Sequence, residues 1–390
     1  MRVKQFGFKK RKKVRRWRWP ALSAQTASRG RVDYLLVSLI TVLTIGGLIV
    51  LSSASNQESF RRYQDTYYLF RHQLLFGLLP GLVLLVAFSR ISYQKMERYA
   101  IWFLIAALVL LVLVFIPGLG MTYGRARSWV RIAGVSFQPT EMVKLLLILF
   151  LAAWFSQRGK EMTRDFWNGL IPFILILSVI SLPIILQPDI GTLAVVVAIA
   201  LVMYFVAGGR PRHLAGLFVA GVGLLGLLIA QAPYRAARLM TFLHPEFDPE
   251  GIGYHINQAF LAIGSGGWFG LGLGQSRQKL AYLPEVIGDS IFAIVAEELG
   301  FIVSGLLIAV FLTLLLRGFK LAQQTQSDYG RYLAVGISTW FASQAFFNIG
   351  AMVGLLPLTG IPLPFISYGG TALTSTLAAG GILISISRRS

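Results

Sequence analysis

Residues 9–19 read KKRKKVRRWRW, and residues 34–54 read YLLVSLITVLTIGGLIVLSSA. Eight of the eleven residues in the first stretch are Lys or Arg, and none of the 21 in the second is charged. About 20 apolar residues form a helix long enough to cross the hydrocarbon layer. A basic run just before such a helix is held at the cytoplasmic face by anionic lipid head groups, with Trp17 and Trp19 at the interface. The apolar run is too long for the core of a signal peptide, and no clear small-residue cleavage site follows it. It is therefore expected to stay attached as the first span.

Outward from it, nine more apolar segments follow, giving ten at 34–54, 73–89, 98–117, 139–156, 169–187, 191–208, 214–232, 290–316, 332–355 and 365–387. The composition agrees: 55% of the 390 residues are hydrophobic and 13% are charged, against about 25% charged in soluble domains. Backbone groups in lipid must be paired within the protein, so these spans are expected to be helices, and the alternation of a barrel is missing. The fold class is thus an all-α polytopic membrane protein with ten transmembrane helices. A basic tail (1–32) precedes a membrane domain (33–390), whose long extracytoplasmic loop (232–289) joins helices seven and eight. With an even number of spans both termini fall on one side, and the basic tail makes that side the cytoplasm. Arg90, Lys95, Arg98, Arg158, Lys160, Arg164, Arg210, Arg212, Arg317, Lys320, Arg331, Arg388 and Arg389 fall in connections on the same side.

The net charge of +20 sits largely in that tail, so it points to a membrane surface and not to nucleic acid. Cysteine is absent, which excludes disulfides and thiolate sites. No Walker A, HExxH or nucleophile-elbow motif occurs, and the four histidines are scattered. The run Gly270-Leu-Gly-Leu-Gly274 lacks the spacing and the βαβ setting of a dinucleotide fingerprint. A metal held by the protein alone is not expected. Two outward segments are more than connectors: 118–138, which contains Tyr-Gly-Arg-Ala-Arg-Ser-Trp-Val-Arg (123–131), and the long loop, within which Tyr254–Ile263 is expected as an interfacial amphipathic helix.

Ionisable side chains inside spans are costly and are therefore candidates for function. Glu141 and Lys144, three residues apart, share a helix face and either simply neutralise each other or line a cavity. Asp189, behind Pro188, is placed either to cap the next helix or to join them. Asp289 ends the long loop just before the eighth span, where it either caps that helix or presents an acid to a membrane-bound substrate. Glu297 and Glu298, two turns deeper, are expected to be structural. Outward Arg125, Arg127, Arg131, Arg235, Arg238, Arg277 and Lys279 run against the positive-inside bias, which suggests a phosphate-bearing partner.

At these residues the chain resembles a known family. The stretches YRAARLMTFL (234–243), GIGYHINQ (251–258), GGWFGLGLGQSRQKLAYLPE (266–285) and IPLPFISYGG (361–370), together with FQPTEMVK (137–144), QPDIGT (187–192) and NIGAMVGLLP (348–357), resemble the shape, elongation, division and sporulation family of FtsW/RodA proteins. The resemblance covers nearly everything after residue 33. Residues 272–279, 282–285 and 386–389 look more like the division branch than the elongation branch. The family pattern Pro-Glu-x-His-Thr-Asp appears as Pro284-Glu285-Val286-Ile287-Gly288-Asp289, so the His-Thr pair is lost and the aspartate kept.

The resemblance implies a peptidoglycan glycosyltransferase that polymerises lipid II into glycan strands at the outer face of the cytoplasmic membrane. It implies Asp289 as the catalytic base, and Arg125, Arg127, Arg235, Arg238, Arg277 and Lys279 as ligands of the pyrophosphate. Glu141, Lys144, Gln187, Asp189, Ser367 and Tyr368 would support the cavity. No organic cofactor is implied, although a divalent cation (Mg or Mn) could accompany the pyrophosphate. The implied partners are lipid II, the nascent strand, a class B penicillin-binding protein of the FtsI type and other divisome proteins, at the septum. A lipid flippase would show inverted repeats and helices broken at the midplane, neither of which is evident. A non-catalytic scaffold would need neither Asp289 nor the outward arginines.

Overall fold

The computed structural model describes residues 32–123, 126–132, 135–231, 233–244, 251–280 and 282–389. Each of the ten apolar segments coincides with a helix. The first is α1 (Tyr34–Ala54), capped by Asp33, whose carboxylate accepts from Leu36 N at 3.1 Å. Short helices α2 (Asn56–Tyr63) and α3 (Tyr68–Gln73) follow, and α3 runs through a π-helical turn, Leu74–Leu78, into α4 (Leu79–Arg90). A second π-helical turn, Phe166–Leu170, leads into α8 (Ile171–Leu186). Each π turn lies just before a proline, Pro80 or Pro172. The extra residue widens the helix where a proline ring would otherwise crowd the carbonyl four residues back.

The rest of the chain forms α5 (Gln94–Glu97), α6 (Ala100–Leu113), α7 (Pro139–Arg164), α9 (Ile190–Val206), α10 (Pro211–Ala230), α11 (Pro233–Leu243), α12 (Ile252–Ser265), α13 (Ile291–Gln324), α14 (Asp328–Met352) and α15 (Gly370–Ser387). Among the described residues seven helices are long and apolar enough to cross a membrane, and α6 and α9 are shorter apolar ones. The remaining segment, 332–355, is α14, which is more polar, and 19 of its 25 residues are buried. Packed against α7, α9 and α13, it is shielded from lipid and so tolerates Gln344 and Asn348. By contrast no residue of α10 is buried, and beyond Arg212 and His213 in its first turn its apolar surface suits lipid.

One end of the bundle gathers the start of α1 and the ends of α4, α13 and α15. Asp33 N donates to Ser387 Oγ (3.3 Å), Arg317 pairs with Asp33 (2.5 Å), and Ser385 Oγ donates to Ile91 O (2.7 Å). The basic residues at 90, 317 and 388–389 therefore meet at one end of the bundle.

Three features depart from the expected architecture. Residues expected as an irregular loop form a three-stranded antiparallel sheet, β1 (Gly120–Tyr123), β2 (Ala126–Ile132) and β3 (Val135–Phe137), so the fold is not purely helical. The pairings Met121↔Trp129 and Arg131↔Ser136 set its register. Side chains alternate across β2: Ser128 and Val130 are buried, whereas Arg127, Trp129 and Arg131 keep access to solvent. The long loop holds the expected interfacial helix, seen as α12, and also α11, which the apolar pattern did not reveal.

The third departure is a break in α13 at Gly300 (φ 78°). It frees the carbonyls of Glu297 and Glu298 to accept Leu271 N and Gly272 N, both at 2.9 Å, while Phe301 N donates to Gly267 O at 2.9 Å. The glycine-rich segment is thereby zipped onto the broken helix. A Cβ at position 300 would stand 2.3 Å from Gly270 N, so only glycine fits.

Candidate active site

The segment from Pro284 to Ser290 is a tight turn leading into α13. Glu285, at φ 47°, offers its carbonyl to Gly288 N (2.9 Å) and Ser290 N (3.2 Å). Ser290 occupies the cap position of α13, and its hydroxyl turns back to donate to Pro284 O at 2.8 Å. The Ser290 hydrogen being committed there, His255 Nε2, 2.6 Å from Ser290 Oγ, must be the donor in that contact. Asp289 therefore stands one residue ahead of the cap. By contrast Asp189 is a true cap, accepting from Thr192 N (3.0 Å) and Thr192 Oγ1 (2.8 Å).

Three successive carbonyls of this turn are held from outside. Tyr368 N donates to Ile287 O (2.8 Å), Ser367 Oγ to Gly288 O (2.6 Å) and Asn348 Nδ2 to Asp289 O (2.7 Å). Tyr368 in turn places its hydroxyl 3.0 Å from His72 Nδ1, and Gly369 N donates to Gln73 Oε1 at 3.0 Å. Ser367 and Tyr368 thus hold the two residues before Asp289, and Asn348 holds Asp289 itself. Neighbouring protein pushes the Glu285 carboxyl above the ordinary carboxylate range; the charge of Asp289 adds to the effect, while Arg62 and His255 oppose it.

Glu141 and Lys144 are each 1% exposed and form an ion pair of 2.7 Å. Lys144 Nζ also donates to Gln344 Oε1 at 2.5 Å, and that oxygen accepts Trp340 Nε1 at 2.6 Å. Gln344 Nε2 reaches Pro362 O (2.9 Å), and one helical turn later Asn348 Nδ2 bridges Ile361 O (2.8 Å) and Asp289 O. One face of α14 therefore links the buried pair to the Asp289 turn. Gln187 Nε2 donates to Leu111 O at 3.0 Å and ties the end of α8 to α6.

The outward cations divide. Arg277 is exposed, its backbone N held by Glu297 Oε1 at 2.8 Å. Lys279 is turned inward, which corrects its expected place among the ligands of a phosphate: its Nζ lies 2.7 Å from Glu298 Oε1 and 2.9 Å from Ser53 Oγ. Its charge is already used by a buried carboxylate. Arg127 lies on β2, with Nη2 3.5 Å from Ile116 O. Arg125 lies outside the described residues; Arg235 and Arg238 are carried by α11, and their side chains also lie outside the description. The sequence reading missed Arg62 and His255, both close enough to Glu285 to act on it. Among the described residues no group of three or more His, Asp or Glu is arranged to hold a metal ion.

Comparison with known proteins places this geometry. Residues 33–390 match the model of the FtsW/RodA/SpoVE family, described as cell cycle protein. Stage V sporulation protein E of Bacillus subtilis (strain 168) is 42% identical over 366 residues, covering 94% of this chain and 99% of that protein. A probable peptidoglycan glycosyltransferase FtsW of Geobacter metallireducens is 38% identical over 359 residues, covering 92% of this chain and 95% of that one. A solved chain from a peptidoglycan synthase complex that coordinates polymerization and crosslinking superposes with a TM-score of 0.76 at 29% identity, covering 92% of this chain and 98% of that one. The rod shape determining protein RodA of Thermus thermophilus gives a TM-score of 0.67 at 29% identity, with 92% and 97% covered.

Proposed function

The chain belongs to the FtsW/RodA/SpoVE family of cell cycle proteins, and from that premise we propose that it is a peptidoglycan glycosyltransferase that polymerises lipid II. The acceptor is the 4-hydroxyl of a lipid-linked disaccharide. The donor is the anomeric carbon of the growing strand, which carries undecaprenyl pyrophosphate. Asp289 takes the hydroxyl proton as the new C–O bond forms and the anomeric carbon–pyrophosphate bond breaks, with inversion. No covalent enzyme intermediate is needed, and a pyrophosphate leaves without an acid. Exposed Arg277 and the arginines of the 118–138 and 232–244 segments suit the departing charge, and a divalent cation would serve the same end. Lys279 has no part in that set.

The observation that carries the assignment is the clamping of the turn that ends in Asp289, by three external donors on the carbonyls of residues 287, 288 and 289. A general base works by geometry first, and such fixing keeps it aimed. The gathering of basic connections at the opposite end supports placing both termini in the cytoplasm and Asp289 outside. The likeness to a chain of a synthase complex supports pairing with a penicillin-binding transpeptidase, and the division-like motifs support action at the septum. Polymerisation of labelled lipid II by the purified protein tests the reading. Asp289→Asn keeps the side-chain shape and should lower the rate about 10²-fold or more without loss of folded protein. Strand synthesis by that variant at near-parental rate overturns the assignment.

A further inference from the structure

We propose that Glu285 is a positioning residue of the active site, a second carboxylate held beside Asp289 whose negative charge keeps Asp289 ready to accept the proton of the incoming hydroxyl. The inference rests on the reading of Asp289 as the base.

The turn itself brings the two acids together. Because Glu285 O accepts both Gly288 N and Ser290 N, the chain doubles back and residues 285 and 289 stand across one turn. The side chain lies on the inside of it: a Cβ built at Gly288 would meet Glu285 Oε2 at 3.6 Å. The carboxylate thus rests against the residue next to Asp289, in space that any larger side chain at 288 would share.

The backbone makes the same point. Glu285 has φ 47°, in the left-handed region that disfavours side chains and is natural for glycine. A glutamate kept there carries strain that its side chain must justify.

Four charged groups face it, from α2, α12 and the turn itself: Glu58 and Arg62 of α2, His255 of α12, and Asp289. Arg62 is paired with Glu58, and His255 is fixed by Ser290. A nearby cation and a donor-oriented imidazole let two carboxylates share a small space without both being neutralised. Coupled acids act on each other reciprocally: charge on Glu285 makes charge on Asp289 dearer, and so makes Asp289 a stronger base.

The test is the pH dependence of kcat/KM for lipid II polymerisation by the full-length protein. Glu285→Gln removes the charge and keeps the size. Loss of a neighbouring negative charge favours the ionised base, so the acid limb should move down by roughly half to one pH unit. The plateau should drop about 3- to 10-fold through a weaker base, in kcat and not in KM. Glu285→Asp, which keeps the charge, should leave the limb in place. Glu285→Gly relieves the backbone and removes the carboxylate; it should shift the limb as glutamine does, so a folding defect cannot mimic the effect. An unmoved limb in both the glutamine and glycine variants, alongside an inactive Asp289→Asn, overturns the role of Glu285 alone. Full activity of Asp289→Asn removes the base, and this inference with it.

Discussion

The inward turn of Lys279 gives a sharp energetic prediction. Lys279 is 8% exposed and Glu298 1%. At 2.7 Å they form a desolvated pair that joins the loop after the glycine-rich segment to α13 and, through Ser53, to the end of α1. Breaking such a pair by removing one partner costs about 3–5 kcal/mol, because a charge is left in low dielectric. Within that range the partners differ. Without Lys279, Glu298 retains Ser53 Oγ at 2.8 Å and Ser276 N at 3.3 Å, so Lys279→Met belongs near the lower end. Without Glu298, the Lys279 ammonium keeps a neutral hydroxyl, Ser53 Oγ at 2.9 Å, so Glu298→Gln belongs near the upper end. The combined change strands no charge and should cost about 2 kcal/mol less than the sum of the two single changes, as contacting residues do in such cycles. Thermal unfolding of the purified protein in detergent, run as a four-member cycle, measures this. Costs that simply add would refute the pairing, and a single lysine variant as stable as the parent would refute the burial.

Two further outcomes are expected. Glu141→Gln or Lys144→Met alone should destabilise the protein more than the two together, since Lys144 serves both Glu141 and Gln344; the same unfolding measurement checks it, and additive losses would separate the two residues. Gly300→Ala should cost about 3 kcal/mol or more through a positive φ and a Cβ pressed on Gly270, seen as a lower unfolding temperature and weaker polymerisation; parental behaviour would contradict the zipped break.

The helices were legible because solvent selects composition over long stretches. Every apolar segment expected from hydropathy became a helix, even α14, whose polarity is explained only by its central place. The small sheet was hidden because its alternation, Arg127 and Trp129 out, Ser128 and Val130 in, lasts only a few residues. A period of two cannot be told from a loop over so short a run. Candidate site residues were found by type and not by partner. Lys279 and Arg277 look alike in sequence, two apart in one loop, yet one faces inward and the other outward, because the partner of Lys279 lies 19 residues away at Glu298. Likewise nothing in the sequence joins Arg62 to Glu285; only the meeting of α2 with the loop does. Long-range polar pairing is a property of topology, and hydropathy carries no record of it.

The same physics explains why α14, more polar than the helices around it that face lipid, stands at the centre. A base that meets a membrane-borne sugar needs an irregular turn at the end of the bundle, and such a turn exposes carbonyls that no helix satisfies. Within a membrane, irregular backbone is tolerated where protein surrounds it and its polar groups find partners. Asn348, Ser367 and the Tyr368 amide supply those partners for residues 287–289, and Gln344 supplies one for Pro362. Side chains able to donate in this way cannot face lipid, so the helix that carries Gln344 and Asn348 must be enclosed by α7, α9 and α13. The burial of α14 and the fixing of Asp289 are therefore linked: Asn348, which holds the Asp289 carbonyl, and Gln344, one turn before it, can sit only on a helix shielded from the bilayer.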